Sequence, residues 1–268
     1  MDFSEEIAAI YRRCGDRHIV PFIGEAFAKP EASDFRAVAI GFNCYVSPGD
    51  WPNPIAGVQP WFASWWDRAG MEEGAGTHRF YNAAFREVAA LSQFVASAPR
   101  WSALQCDLDP RRKRSLYATN ALKFYADEDF KKSSAIAPQI LAQFDDVWRD
   151  ELDTMARFEA LPHLVVIFGR ALWESHWRGL HPQFTKARSF AVRSYQPAGN
   201  SASATYHHAN RIVLECGGRE HALLLVCLHH PSARARRGRR RDAAWLQGQG
   251  DFRRLLDLPP VASGPTSE

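Results

Sequence analysis

The sequence predicts a three-layer α/β/α fold, in which helices cover both faces of a central, mainly parallel sheet of four strands. Two observations support this fold class. Compact apolar runs, typical of buried parallel strands, recur at 36–41, 115–120, 163–169 and 222–228. The segments between them carry apolar residues at the three- and four-residue steps of amphipathic helices. Strands that alternate with helices form parallel sheets covered on both faces.

The first half of the chain opens with an amphipathic helix at 3–13, for which Ser4 is the predicted N-cap. After the first core strand comes a loop at 42–60, rich in Gly, Pro and Trp. This loop is long for a strand-to-helix connection, which is typical of functional loops. Helices are predicted at 61–69 and 80–96, before the second core strand.

The second half is predicted to contain a long helix at 138–159, with Pro138 in its first turn. Shorter strands are predicted at 190–195 and 212–216, and Gly217-Gly218 indicates a hairpin turn into the last core strand. We expect one domain over 1–258. The Pro/Ser/Gly-rich tail at 259–268 is expected to be disordered.

The composition excludes several classes of protein. With 268 residues, 46% of them hydrophobic, the chain can bury a full core. No apolar run reaches the roughly 18 residues of a membrane span, and the acidic N-terminus is unlike a signal peptide, so we expect a cytoplasmic protein with no membrane partner. The five cysteines are scattered without a C-x-x-C pair, which predicts no disulfide framework, no metal site and no cofactor.

The positive charge is concentrated in one place. The net charge is only +3, yet residues 234–241 include six arginines. Such a run provides a strong local field for phosphate groups, and on a nearly neutral protein it indicates a docking surface for a polyanion. The alternative is a solvated loop that only keeps the protein soluble.

Polar residues follow three of the predicted core strands. Asn43 lies just beyond the first, Asn120 ends the second, and His229 or His230 follows the last. Because the carboxyl ends of parallel strands share one edge, we expect these side chains to converge on one pocket. An asparagine amide presents a donor and an acceptor, which suits the hydrogen-bonding edge of a nucleobase. A nearby aromatic ring would supply a stacking surface.

Each of these residues also has a purely structural interpretation. Asn43 is equally typical of a turn, and Asn120 of a helix N-cap. A histidine before proline is often a packing residue at a strand end, and the aromatic residues between Trp51 and Trp66 are typical of a core. The ordered set of three strand ends is more specific than any one of its members.

Several segments together resemble the uracil-DNA glycosylase superfamily. They are Gly-Phe-Asn-Cys-Tyr at 41–45, Tyr-Ala-Thr-Asn-Ala-Leu-Lys at 117–123, Leu-Val-Val-Ile-Phe-Gly-Arg-Ala at 164–171, His-Pro-Ser at 230–232 and Arg-Gly at 237–238. The resemblance spans about residues 19–256 and implies a uracil-DNA glycosylase-like fold. It points to a divergent member without an iron–sulfur cluster, because the four cluster cysteines are absent.

The resemblance implies a role for each matching residue. Asn43 would hold the attacking water, Asn120 would read the flipped base, and His230 would stabilise the negative charge on the departing base. Gly41 and Tyr45 would line the substrate pocket. The aromatic residue stacked on the base would be Trp61, with Phe62 as the rival. The residues expected to contact DNA are Ser232, Arg234, Arg236, Arg237 and Arg239.

The chain also departs from the superfamily's pattern. Cys44 replaces the usual proline of the first motif, and Ala-Arg-Ala-Arg at 233–236 replaces an apolar wedge. Arg234 or Arg236 would then fill the gap that the flipped base leaves in the duplex. Because an asparagine orients water but is a poor base, we expect slower turnover than with an aspartate at position 43.

These observations predict a monofunctional DNA glycosylase of base-excision repair that hydrolyses the N-glycosidic bond of a flipped deaminated base, most simply uracil. Its expected partner is DNA containing a damaged or deaminated base, and no obligate protein partner is inferred. One alternative is a noncatalytic protein that binds abasic or modified DNA sites through the same pocket. Another is a hydrolase of free nucleotides, against which the missing Gly-rich phosphate loop counts.

Overall fold

The structure is a computed structural model that describes residues 2–15, 18–41, 44–45, 61–71, 79–121, 125–126, 145–169, 172, 193–195, 208–216, 219–229 and 242–259. Its helices are α1 (Phe3–Arg12), α2 (Glu25–Ala28), α3 (Trp61–Arg68), α4 (Arg79–Ala96), α5 (Asp145–Arg157), α6 (Asp242–Gln247) and α7 (Gly250–Leu255). Its strands are β1 (Phe22–Ile23), β2 (Ala37–Gly41), β3 (Cys44–Tyr45), β4 (Leu116–Asn120), β5 (Tyr125–Ala126), β6 (Leu164–Phe168), β7 (Arg193–Tyr195), β8 (His208–Cys216) and β9 (Arg219–Leu228).

The main sheet of the described ranges has seven strands in the order β1-β4-β2-β6-β9-β8-β7. Neighbours among β4, β2, β6 and β9 pair in parallel, whereas β1, β8 and β7 pair antiparallel. The α/β class predicted from the sequence is confirmed. The predicted count of four strands is wrong, because the short edge strand β1 and the β8–β7 extension also join the sheet. Strands β3 and β5 form a separate parallel pair.

Helices cover both faces of the central strands. Every residue of β2, β4 and β6 is buried, as the continuous apolar runs of β2 and β6 predicted, and β4 also buries the polar residues Thr119 and Asn120. Tyr11 of α1 contacts Thr119 of β4 on one face. Thr119 is in register, through β2, with Ile167, and the next residue, Phe168, contacts Phe80 of α4 on the other face. The helices α1 and α4 therefore lie on opposite sides of the sheet.

Helix α1 begins directly after Asp2 rather than after Ser4. Asp2 is the N-cap: its carboxylate accepts a hydrogen bond from the Glu5 N–H at 2.8 Å, and the Glu5 carboxylate accepts from the Asp2 N–H at 3.0 Å. This reciprocal pair is a capping box, in which a carboxylate also interacts favourably with the helix dipole. The predicted cap at Ser4 is wrong because Asp2 forms both halves of that pair.

The remaining elements follow the predictions in part. Cys216 pairs with Arg219, so the predicted hairpin between β8 and β9 is confirmed, although β8 begins four residues earlier than expected. The long helix predicted at 138–159 is described from Asp145 to Arg157, and its first residues lie outside the described ranges. The sequence did not reveal α6 and α7. No helix in the described ranges has the length and hydropathy of a membrane span.

Candidate functional site

The carboxyl ends of four parallel strands form one edge of the sheet. Gly41 at the end of β2 is in register with Asn120 at the end of β4. Farther along, Phe168 at the end of β6 is in register with Leu228 at the end of β9. Neighbouring strands lie about 4.8 Å apart, so the ends of β2 and β9, with β6 between them, are about 10 Å apart. Of the candidate residues predicted from the sequence, Gly41 and Asn120 belong to this edge.

The Asn120 amide lies directly over the end of β2. Asn120 is buried, with 2% of its surface exposed. A Cβ atom added to Gly41 would overlap Asn120 Oδ1, so only glycine at position 41 leaves the amide in this place. The two strand ends are also tied through the backbone, because the Ala121 N–H donates to the Gly41 carbonyl at 2.9 Å. The structure therefore brings together two of the predicted site residues.

Asn120 is not the N-cap of an ordinary helix. It is the last residue of β4, and β5 begins at Tyr125, so too few residues intervene for a helix of normal length. The interpretation of Asn120 as a helix N-cap is therefore wrong. The amide of Asn120 carries both hydrogen-bond donors and an acceptor, so it can pair with a group that offers both.

The chain segments that leave β2 and β4 remain side by side. Cys44 pairs with Tyr125, and Tyr45 pairs with Ala126. The backbone of Tyr45 is thereby placed beyond the carboxyl edge, close to the segment that follows Asn120. Asn43 lies outside the described ranges, but the chain connects it directly to Cys44.

Gly169 continues the carboxyl edge between the ends of β2 and β9. Its N–H donates to the Leu228 carbonyl at 2.8 Å, and its φ of 114° is a conformation that favours glycine. None of the described atoms lies within 4 Å of the position that a Cβ would occupy. The half-buried His229 follows Leu228 on the far side of this space.

The aromatic candidates lie at the start of α3. Phe62 is 1% exposed and packs against Trp66 and Tyr81. The neighbouring residue of α4, Phe80, contacts Phe168, the last residue of β6. The first turn of α3 therefore lies on the α4 face near the carboxyl edge of the sheet. Trp61 begins the same helix, and its side chain is not described.

A buried lysine holds the other end of α3. Lys113 Nζ donates to the Asp67 carbonyl at 2.7 Å and to the Pro110 carbonyl, and it lies 5.2 Å from the centre of the Phe85 ring. Burial lowers the pKa of Lys113. Because Lys113 precedes β4, these bonds hold the last turn of α3 near the amino edge of the sheet. Nothing in the sequence signals this role, because Lys113 stands in a basic run that looks solvated.

A second buried charge, Glu87 of α4, fixes the beginning of α6. Its Oε2 accepts a hydrogen bond from the Ala243 N–H at 2.7 Å. An acidic side chain at a helix N-terminus satisfies a free N–H and interacts favourably with the helix dipole. Because α6 starts directly after Arg241, Glu87 holds the chain where the arginine run ends. A glutamate on the apolar face of α4 was the one sequence signal for this residue.

A pair of histidines lies at the opposite, amino edge of the sheet. The Arg36 N–H donates to His163 Nδ1 at 3.0 Å, so that nitrogen carries no proton. His221 Nε2 lies 2.7 Å from the Pro162 carbonyl and therefore carries one. Burial, together with the neighbouring His221 and Arg36, lowers the pKa of His163 to about 2. Burial also lowers the pKa of His221. Both rings are structural and neutral near pH 7.

The structure therefore describes some of the predicted site residues and leaves others outside its described ranges. Gly41 and Asn120 come together, Phe62 is buried nearby, and Tyr45 and Trp61 are placed by their backbone only. The remaining candidates lie outside the described ranges: Asn43, His230, Ser232, Arg234, Arg236, Arg237 and Arg239.

The described residues contain no cluster of three or more His, Cys, Asp or Glu arranged to hold a metal. Neither a protein-family model nor a curated protein matches this chain.

Proposed function

We propose that the protein is a DNA glycosylase that hydrolyses the N-glycosidic bond of a flipped, deaminated base, most simply uracil. The observation that carries this proposal is the buried Asn120 amide seated over Gly41, at the carboxyl edge formed by β4, β2, β6 and β9. Ligands of open α/β sheets bind outside such an edge. A uracil-DNA glycosylase-like arrangement of the sheet is part of the same proposal.

The proposed site divides the chemistry among three strand ends. Asn120 reads the hydrogen-bonding edge of the base, Asn43 orients the attacking water, and His230 stabilises the anion of the departing base. The reaction passes through an oxocarbenium-like sugar, so charge stabilisation and a positioned water suffice without a strong nucleophile. The roughly 10 Å between the ends of β2 and β9 leaves room for a base between the water and the histidine.

Base recognition also needs a surface on which the base can stack and contacts to the DNA phosphates. The first turn of α3 lies near the carboxyl edge, and Trp61 would stack on the base, because Phe62 is buried against Trp66 and Tyr81. In the sequence, the arginine run at 234–241 lies between β9 and α6, and Glu87 holds the start of α6. Extrusion of a base requires a few kcal/mol, and phosphate contacts around the lesion offset it.

The direct test is base release from a duplex that contains uracil. The protein is incubated with a labelled oligonucleotide, and alkali then cleaves any abasic site that has formed. We expect strand scission with the wild-type protein, none with Asn43→Ala and strongly reduced scission with His230→Ala. The exposed Arg112, at the other edge of the sheet, provides the control variant Arg112→Ala, which is expected to keep full activity.

Two results would overturn the proposal. One is the absence of scission with uracil and with every other deaminated base. The other is tight, salt-sensitive binding to abasic or modified DNA without base release, which would establish the noncatalytic binding protein instead. Activity on free nucleotides but not on duplex DNA would identify a nucleotide hydrolase.

A further inference from the structure

Four hydroxyl and carboxyl side chains form a buried cluster behind β4. They are Tyr11 of α1, Glu151 of α5, and Tyr117 and Thr119 of β4, and each is at most 1% exposed. We call this set the tyrosine–glutamate cluster. It joins three elements that are far apart in the sequence, on the sheet face opposite the Asn120 amide.

The hydrogen bonds of the cluster have a defined direction. Tyr11 and Tyr117 both donate to Glu151 Oε1, each at 2.5 Å. Because the only proton of the Tyr11 hydroxyl is used in that bond, Tyr11 Oη accepts from the hydroxyl of Thr119, which also lies 3.4 Å from the Asn120 carbonyl oxygen. The result is a chain of bonds from Thr119 through Tyr11 to Glu151, with Tyr117 meeting it at the same carboxylate oxygen.

Such a cluster is not required for stability alone. Burial raises the pKa of both phenols, and the charge of Glu151 raises it further. A buried carboxylate carries a large desolvation penalty, and replacing such groups by packed apolar residues is often neutral or stabilising. What hydrogen bonds add, and apolar contacts do not, is a fixed direction between the groups that they join.

The cluster holds the residue next to Asn120. Thr119 and Asn120 are consecutive in β4, so their side chains point to opposite faces of the sheet. On the Asn120 side the amide fits closely over Gly41, and a small shift of β4 along its own axis would lift it away. On the other side, the bond from Thr119 to Tyr11 opposes that shift.

We propose that the tyrosine–glutamate cluster is a positioning device that holds the Asn120 amide in register with the end of β2. Tyr11, Thr119 and Glu151 are then positioning residues for base recognition, although none of them lies on the site's face of the sheet. This inference rests on the proposed function for its kinetic consequence. Its structural part concerns Asn120 alone.

The structural part is tested by NMR on protein labelled with 15N-asparagine. The Asn120 side-chain amide signals are assigned by their loss in Asn120→Ala and then followed in Tyr11→Phe and Thr119→Val. Thr119→Ser, which keeps the hydroxyl, is the rescue variant. Ser115→Ala is the matched control, because the buried Ser115 hydroxyl accepts from the Asp107 N–H at 2.9 Å directly before the start of β4.

The kinetic part compares the rate of base release and the affinity for undamaged duplex in the same variants. We expect Tyr11→Phe and Thr119→Val to lower the single-turnover rate of base release about tenfold or more, since small misplacements of binding groups have large effects on rate. Affinity for undamaged duplex is expected to stay within about twofold, because the phosphate contacts lie elsewhere. A loss of folded protein would instead lower both properties together.

The outcomes separate this inference from the proposed function. Shifted Asn120 signals in Tyr11→Phe and Thr119→Val, with wild-type signals in Thr119→Ser and Ser115→Ala, support the inference. Unmoved signals, or equal shifts in Ser115→Ala, overturn it. If the wild-type protein releases no base, the proposed function fails, and the NMR comparison still decides whether the cluster positions Asn120.

Discussion

At the scale of single residues, the absence of a side chain at position 41 determines where the Asn120 amide can lie. A methyl group there would overlap Oδ1 of the amide. The sequence placed Gly41 and Asn120 at strand ends, and alternation along parallel strands was enough to bring them to one edge. It did not reveal that the amide crosses to the neighbouring strand, because this depends on the exact register of β2 and β4.

Gly41→Ala should therefore impair base recognition. We expect the displaced amide to reduce base release at least tenfold, because a polar group out of place leaves the hydrogen bonds of the base unmet. The measurement is the single-turnover rate on a uracil-containing duplex. Gly250→Ala is the control, since no described atom lies within 4 Å of the position of its added Cβ. Equal rates for Gly41→Ala and the wild-type protein would show that the amide does not read the base from this position.

The buried histidines predict how stability responds to acid. His163 has a pKa of about 2 in the folded protein against about 6.5 when unfolded, so the unfolded chain takes up the proton first. Its contribution to stability is fully present above pH 6.5 and falls as the pH drops toward 2. From pH 7 to pH 5, we expect the free energy of unfolding to fall by about 2 kcal/mol on account of this residue.

Urea denaturation at several pH values between 7 and 5 measures this effect. The comparison variant is His163→Asn, whose amide oxygen can accept the hydrogen bond from the Arg36 N–H but does not titrate. Between pH 7 and pH 5, we expect the free energy of unfolding of the wild-type protein to fall by about 2 kcal/mol more than that of the variant. Parallel curves would mean that His163 titrates normally in the folded protein.

At the scale of elements, Lys113 controls the placement of α3. Replacing it with methionine keeps the length of the side chain and removes its bonds to the Asp67 and Pro110 carbonyls. Hydrogen bonds from a charged donor contribute about 1.5 to 3 kcal/mol each, so we expect Lys113→Met to lower the free energy of unfolding by about 2 to 4 kcal/mol. Chemical denaturation provides the measurement.

The neighbouring Arg112 is the matched control for this prediction. Its side chain is largely exposed, and we expect Arg112→Met to change the stability by no more than about 0.5 kcal/mol. Similar decreases for the two variants would indicate a general effect of charge in this basic segment rather than a specific role of Lys113.

Elements with a strong periodic signal were predictable from the sequence, and those held by single contacts were not. Strands β2 and β6 were found because five consecutive buried residues leave a continuous apolar run, and β4 was found from its Leu-Tyr-Ala segment before a polar end. The antiparallel edge strand β1 was read only as a short apolar segment, because two residues are too few to show a period. Helices α6 and α7 were missed since each has only six residues.

At the scale of the whole molecule, the basic run at 111–114 has acidic and buried surroundings. In this run, Arg114 pairs with Glu25, Glu31 and Asp34, and Lys113 lies in the interior, whereas Arg111 and Arg112 are exposed. Arg114 and Lys113 therefore add little to the field that DNA would meet. Sequence alone could not separate this run from the one at 234–241, because the acidic partners of Arg114 come from distant parts of the chain.

DNA affinity should accordingly depend on salt through the second run only. Replacing Arg234, Arg236, Arg237 and Arg239 with alanine is expected to flatten the plot of log affinity against log salt by up to about 0.9 for each phosphate that the variant no longer neutralises. Fluorescence anisotropy with a labelled duplex at several salt concentrations measures this slope. The control is the double variant Arg111→Ala and Arg112→Ala, whose slope should match that of the wild-type protein. A flattened slope in the control would place the DNA on the other edge of the sheet.

The position of β9 has a consequence for how the protein is made. This strand pairs with β6 in the middle of the sheet, yet about 50 residues separate the two in the chain. At roughly 5–20 residues per second, the ribosome needs roughly 3 to 10 s to supply that length. Throughout this interval the Leu-Val-Val-Ile-Phe edge of β6 lacks its partner, and unpaired apolar edges promote aggregation. Biosynthesis of this protein should therefore depend on chaperones that bind the nascent chain until the β8–β9 hairpin docks.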